Sequence, residues 1–346
     1  MRRVDVAAPP YTVSAVSRRF RYRQVDVFTD TPLQGNPLAV FLDAQGLSDG
    51  EMQAVAREMN LSESAFVLPA TDEGRAQGAD YRLRIFTPGM ELPFAGHPSI
   101  GTAWVLADEG RFDLRPPATD IRQELPIGVL PISLALEAGG EGAAARLGEI
   151  TMTQGQIELI HRVLGDELEE LSEALEVRPQ DLRWPLADTE SRAGRRTMPA
   201  VISCGLPFLI VPVSSLGLLT DIEPGRAVDV ALFAEGYGSD TIALVAPGNS
   251  GSVPDADVHV RVLTDPRLGI LEDPATGSAA GPIGVFLGLA ARAKGSAYRI
   301  VIEQGVEIGR VSRLSAQVDF DADGRPTLAR VSGQVVPISE GWLTLP

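Results

Sequence analysis

The sequence has one cysteine, one lysine and three histidines in 346 residues, and each scarcity excludes something. Cys204, being alone, cannot form an intrachain disulfide or a paired-thiol zinc site, which fits a reducing, cytoplasmic compartment. Its context, VISCGLPF, reads as the end of a strand carrying a buried, inert thiol. His97, His161 and His259 are scattered and have no nearby His or Cys of zinc-motif spacing, so no metal is expected. Neither GxGxxG nor P-loop spacing occurs, so no nucleotide cofactor is expected either. No window approaches the roughly 20 apolar residues of a spanning helix. The N-terminal arginines lead into no apolar signal-peptide core. A soluble chain without a membrane partner is the expectation.

Basic charge is also short. Thirty Lys and Arg stand against 46 Asp and Glu, for a net charge of -16 and a pI near 4.7, with Lys294 the single lysine. The broad basic surface that phosphate backbones require is missing, which argues against nucleic acid. An anionic small substrate would have to be held by local donors, because the overall field repels it.

What is present is ordinary globular material, 44% hydrophobic and long enough for two cores. The expected division is an extension over 1–20, a first lobe over 21–138, a connection and helix over 139–196, and a second lobe over 197–346. The C-terminal strand is a candidate to return to the first lobe. YRQVDVFTD, the turn TPLQGN and PLAVFLD read as a hairpin. LSDGEMQAVAREM has Ser48 and Asp49 as caps and Met52, Val55, Ala56 and Met59 on one face, an amphipathic helix. It hands over to the strand SAFVLP, with Glu63 at the junction. YRLRIFTP alternates like a half-buried strand, and His97 and Pro98 open a further helix, where the missing proline N–H is no loss. GDELEELSEALEV reads as a packed helix with a solvated acidic face.

The same plan recurs in the second half. GNPLAVF, RIFT and HPSIGTA are followed in the same order by GLPFLIV, RVLT and DPATGSA, and the pairing places His97 and Asp273 at equivalent positions. A pseudo-twofold axis would then set them on opposite walls of one cleft. The turns AGHPS and PATGS would bring two helix N-termini face to face, with free N–H groups around Gly96 and His97 and around Gly277 and Ser278. That is an anion site without a cation. Read without the repeat, these are tight strand-to-helix turns, Asp273 is a cap and Glu63 a solvent-facing turn residue. Within an enclosed cleft, Glu63 becomes a carboxylate tuned by desolvation for acid/base work, and His97 a group that exchanges a proton near neutral pH.

At VDVFTDTPLQGNPLAVF, REMNLSESAFVLP, RIFTPGMELPFAGHPSIGTA, EDPATGSAAGP and EQGVEIGR the chain resembles the PhzF family of phenazine-biosynthesis isomerases. The resemblance runs from about Tyr22 to the C-terminus and is weakest between about Gly139 and Arg196. It implies an α+β, diaminopimelate epimerase-like fold: two pseudo-symmetric lobes, each a curved sheet or incomplete barrel around a central helix, commonly assembled as a homodimer. It implies Glu63, His97 and Asp273 as catalytic residues and Ser62, Gly96, Gly277 and Ser278 as substrate-binding ones. The related epimerases carry two opposed cysteines four residues after a glutamate. Here those places, after Glu91 and Glu272, hold Ala95 and Thr276, which excludes two-thiol racemisation. The implied reaction is cofactor-independent isomerisation of trans-2,3-dihydro-3-hydroxyanthranilate through Glu63. The alternatives are isomerisation or epimerisation of another small acid, or ligand binding without turnover.

Overall fold

The computed structural model describes residues 17–137, 146–184, 197–226, 233–239, 241–264 and 270–346. Strands β1 (Arg18–Val27) and β2 (Asn36–Phe41) form the expected antiparallel hairpin, with Val27 opposite Asn36. Helix α1 (Asp49–Met59) begins at Ser48, whose side chain and that of Glu51 form a reciprocal capping box, and it buries Met52, Val55 and Ala56. It ends at Asn60 in the left-handed region (φ 50°), a conformation that asparagine tolerates and that turns the chain sharply. Strand β3 (Glu63–Leu68) follows and lies parallel to β2, with Glu63 opposite Leu38.

The first half continues through α2 (Asp72–Ala76), β4 (Tyr81–Phe86), β5 (Glu91–Leu92), α3 (Gly96–Asp108), β6 (Ala118–Leu125), β7 (Gly128–Glu137) and β8 (Arg146–Thr153). Next come β9 (Ile157–Arg162), α4 (Asp166–Ala174), β10 (Ala200–Cys204), β11 (Pro207–Pro212), α5 (Leu216–Asp221) and β12 (Thr241–Pro247). The chain closes with β13 (Val258–Thr264), β14 (Glu272–Asp273), α6 (Gly277–Ala290), β15 (Ala297–Gln304), β16 (Ser312–Phe320), β17 (Pro326–Gly333) and β18 (Val335–Leu345). Cys204 is buried at the end of β10, and burial pushes its thiol up to about 12, which keeps it inert.

The ladder pattern repeats. β1–β2 is antiparallel, β2–β3 parallel, β3–β4 antiparallel and β4–β6 parallel. β10–β11, β11–β12, β12–β13 and β13–β15 repeat it in the same order. Each half curls round its own helix, α3 or α6. α3 is apolar on every side and buried through its first twelve residues, and α6 is buried almost throughout. Helices without a polar face belong inside a core, and both contribute to one continuous apolar cluster.

β8 and β17 pair antiparallel and join the halves. The strand after each then crosses over: β9 pairs with β10, and β18 pairs with β1 from Arg18–Leu345 to Val27–Val335. Two expectations change accordingly. Arg18 to Phe20 are not an extension but the start of β1, and they pair with Leu343 to Leu345. The stretch 139–196 is more than a connection and a helix, since it carries β8 and β9. Arg18 to Phe20 and β9 are placed by strand partners far away in sequence, which local pattern does not reveal, whereas β8 pairs with its neighbour β7 as well as with β17. Residues 1–16 and 185–196 lie outside the described residues.

Candidate active site

Two equivalent ion pairs fix the register of the repeat. Arg84 donates to both oxygens of Glu91 at 2.7 and 2.6 Å, and Arg261 donates to both oxygens of Glu272 at 3.0 and 2.8 Å. Such forked pairs pin each short strand to its neighbour. Phe86 pairs with Glu91 across residues 87–90, and Leu263 with Glu272 across residues 264–271, so the second turn is four residues longer. The offset between halves therefore rises from 261 − 84 = 177 to 272 − 91 = 181. By that register Asp273 corresponds to Leu92 and His97 to Ser278. The expected equivalence of His97 and Asp273 is corrected, because the longer turn shifts the frame between β13 and α6. Glu63, next to Ser64 opposite Phe86, corresponds to Thr241, next to Ile242 opposite Leu263. The proton-carrying candidate thus has a hydroxyl, not a second carboxylate, as its counterpart.

The two helix starts meet. A Cβ on Gly96 would stand 2.5 Å from the Ser278 nitrogen and 2.7 Å from the Gly277 Cα. Only glycine permits backbones to approach so closely. Neither helix has a side-chain cap on its first N–H groups. Phe28 supports the junction from below with its ring against Gly277, and it accepts φ 66° to do so. A bulky residue in that region is uncommon and strained.

Beside the junction lies a cavity of about 600 Å³, well within the range of small-molecule sites. Its lining includes Ser62, Glu63, Asp273, Thr276 and Ser278, with Met90, Leu92, Phe94, Leu206, Phe208 and Ile270 as apolar neighbours. Among the described lining residues there is no Lys or Arg. Gly96, His97 and Gly277 adjoin the lining residues Ala95 and Ser278. His97 is 3% exposed and sits against Glu63, Nδ1 to Oε2 3.2 Å. Its Nδ1–H serves the Pro37 carbonyl, and its Nε2 has no partner among the described residues. Burial holds the imidazole down to about 3, so the ring is neutral.

The two carboxylates differ in support. Asp273 accepts from Asn36 Nδ2 at 2.8 Å and from Thr276 Oγ1 at 2.5 Å, and Ser62 adds a further bond. Burial still raises its carboxyl to about 6, because desolvation outweighs those bonds. Glu63 Oε2 has no hydrogen-bond partner among the described residues, and burial, followed by the charge of Asp273, lifts this carboxyl well above the ordinary range. Perturbed carboxyls in one cleft are a mark of acid/base sites.

Sequence reasoning missed the residues that hold this arrangement. Asn36 also donates to the Ala275 carbonyl at 2.9 Å, and Gln304 Nε2 donates to the Asp273 carbonyl at 2.7 Å and to Thr276 Oγ1 at 3.0 Å. The signals were present in GNP and EQG, where a polar residue sits among turn formers beside apolar strands. At the rim, Tyr237 stacks on His161 at 4.3 Å between ring centres and donates to Glu167 at 2.6 Å. That contact ties α4 to the segment supplying Glu235, Gly238 and Ser239 to the lining.

Paired half-barrels around two buried helices are also found in a hydroxyproline epimerase from Agrobacterium vitis. Its structure aligns with a TM-score of 0.61 at 14% identity over 95% of this chain and 93% of that one. The fold is α+β and diaminopimelate epimerase-like, and the chain is an enzyme of isomerase type. The PhzC-PhzF family profile, described as phenazine biosynthesis-like protein, matches residues 25–341, and the chain belongs to that family. The trans-2,3-dihydro-3-hydroxyanthranilate isomerase of Pseudomonas aeruginosa is 35% identical over 93% of this chain and 98% of its own length. A PhzF-family phenazine biosynthesis protein from Bacillus anthracis aligns with a TM-score of 0.74 at 25% identity, covering 94% of this chain and 99% of that one.

Proposed function

We propose that this chain is a cofactor-independent isomerase of a small cyclic amino or hydroxy carboxylic acid, with trans-2,3-dihydro-3-hydroxyanthranilate as the specific substrate and Glu63 as the proton carrier. The observation that carries the reading is the contrast between the two enclosed carboxylates. Asp273 is saturated by Asn36, Thr276 and Ser62, whereas Glu63, also in the cavity lining, keeps one buried oxygen without a hydrogen-bond partner among the described residues and has a raised affinity for protons.

The substrate's carboxylate lies against the uncapped first turns of α3 and α6, where Gly96, His97, Gly277 and Ser278 offer N–H groups. Its ammonium faces Asp273, and Ser62 steadies that carboxylate. The proton on ring carbon C3 passes to ionised Glu63, and the same carboxyl returns a proton to C1. The sum is an isomer with no gain or loss of electrons, so the step needs no redox partner. Neutral His97 packs behind Glu63 and is itself held by the Pro37 carbonyl. General acid/base transfer of this kind contributes about 10² to 10⁴-fold in rate, and fixed geometry adds to it. A homodimer belongs to the same proposal, and sedimentation over a range of concentrations checks it.

The test is turnover of trans-2,3-dihydro-3-hydroxyanthranilate, followed by absorbance with purified protein. Steady conversion is the expected result. No conversion by folded wild type overturns the substrate assignment, and unchanged affinity for the acid after His97→Ala or Asp273→Ala removes those residues from the site.

A further inference from the structure

Pro282 is the sixth residue of α6, one turn after Ser278. In an α-helix the carbonyl of one residue accepts from the N–H four residues later. Proline has no N–H, so the Ser278 carbonyl is left without its helical donor. Gln154 fills the gap. Its Nε2 donates to the Ser278 carbonyl at 3.2 Å and to the Gly277 carbonyl at 2.9 Å. Gln154 is buried and comes from the crossing between β8 and β9. Its backbone N–H is fixed to the Ala329 carbonyl at 3.0 Å, and that of Gly155 to the Cys204 carbonyl at 2.8 Å. Gly281 completes the fit, because a Cβ there would occupy the space of the Gln154 amide.

We infer that Gln154 is a positioning residue that supplies the hydrogen bond Pro282 withholds, and thereby sets the first turn of α6 as a carboxylate cradle. The inference rests on the reading of that turn as the place where the substrate's carboxylate binds. Gln154 makes no contact with the substrate. It acts through the Gly277 and Ser278 backbone, whose carbonyls accept from this amide while Ser278 lines the cleft.

Gln154→Met keeps the length and bulk of the side chain and removes its donor. With trans-2,3-dihydro-3-hydroxyanthranilate, the KM of this variant should rise about tenfold while kcat stays within about twofold, the pattern of a lost binding contact. Pro282→Ala returns an N–H to the helix at the place where the glutamine is needed. The double variant Gln154→Met/Pro282→Ala should therefore recover a KM within about twofold of wild type, a coupling that two unrelated packing defects would not show. Unchanged KM in Gln154→Met, or a double variant no better than the single one, overturns the inference. Amide hydrogen exchange at Ala279 and Ala280, whose N–H groups bond to the Thr276 carbonyl, gives a readout independent of turnover. It should quicken in Gln154→Met and slow again in the double variant. If wild type fails to turn over this acid, the substrate assignment fails and the exchange pattern alone decides the role of Gln154.

Discussion

At the scale of single residues, three buried titratable groups push stability in opposite directions with pH. His97 is held down to about 3, so between its ordinary 6.5 and that value the unfolded chain binds a proton that the folded one refuses. Its contribution is present above 6.5 and is lost as pH falls. Asp273 is raised from 3.8 to about 6, and Glu63 is raised as well, so the folded chain holds more protons than the unfolded one through that window. Their contribution declines as pH rises. Denaturant titrations should show His97→Gln flattening the loss of stability below pH 6.5. Glu63→Gln should raise stability at pH 7 while slowing turnover, since a neutral amide costs less to bury than a carboxylate. A Glu63→Gln protein less stable than wild type at pH 7 would mean that the carboxyl is not desolvated. Glu63 and His97 were legible as candidates because each stands at an element junction. Their contact was not, because nothing local says that the ring lies behind the carboxylate.

At the scale of elements, the hairpin, α1 with its cap, β3 and α3 were all readable, since period, cap and turn residues are local signals. The register of the second repeat was not. The turn between β13 and β14 has four residues more than its counterpart, and the Arg261–Glu272 pair decides for the register in which Glu272 answers Glu91, against the one that paired His97 with Asp273. The roles of Asn36 and Gln154 could not be read for a related reason, because their partners are 237 and 123 positions away. The junction of the two helix starts gives a sharp expectation. Gly96→Ala drives a methyl into the backbone at Ser278 and Gly277, which cannot rotate aside. It should cost about 1–3 kcal/mol by chemical denaturation and weaken binding of the acid as the helix starts part. Wild-type stability and affinity in this variant would show that the two turns are not in contact.

At the scale of the whole molecule, the two halves exchange their last strands, so each barrel is finished by chain from the other half. β18 is the neighbour of β1 along its whole length, and removal of residues 335–346 leaves that edge unpaired. The truncated chain should show early proteolysis within residues 18–41, the hairpin that β18 flanks, and resistance there equal to the full chain would contradict the exchange. The cleft lies where the halves meet, with Glu63 from the first and Asp273 from the second, so chemistry depends on both being complete. That one carboxyl carries the proton is the claim on which the rest depends, and heavy water tests it most directly. Wild type incubated with trans-2,3-dihydro-3-hydroxyanthranilate in deuterium oxide should form isomerised acid containing deuterium, and Glu63→Gln should slow both formation and labelling by about 10² to 10⁴-fold. Equal rates in the two proteins would contradict it.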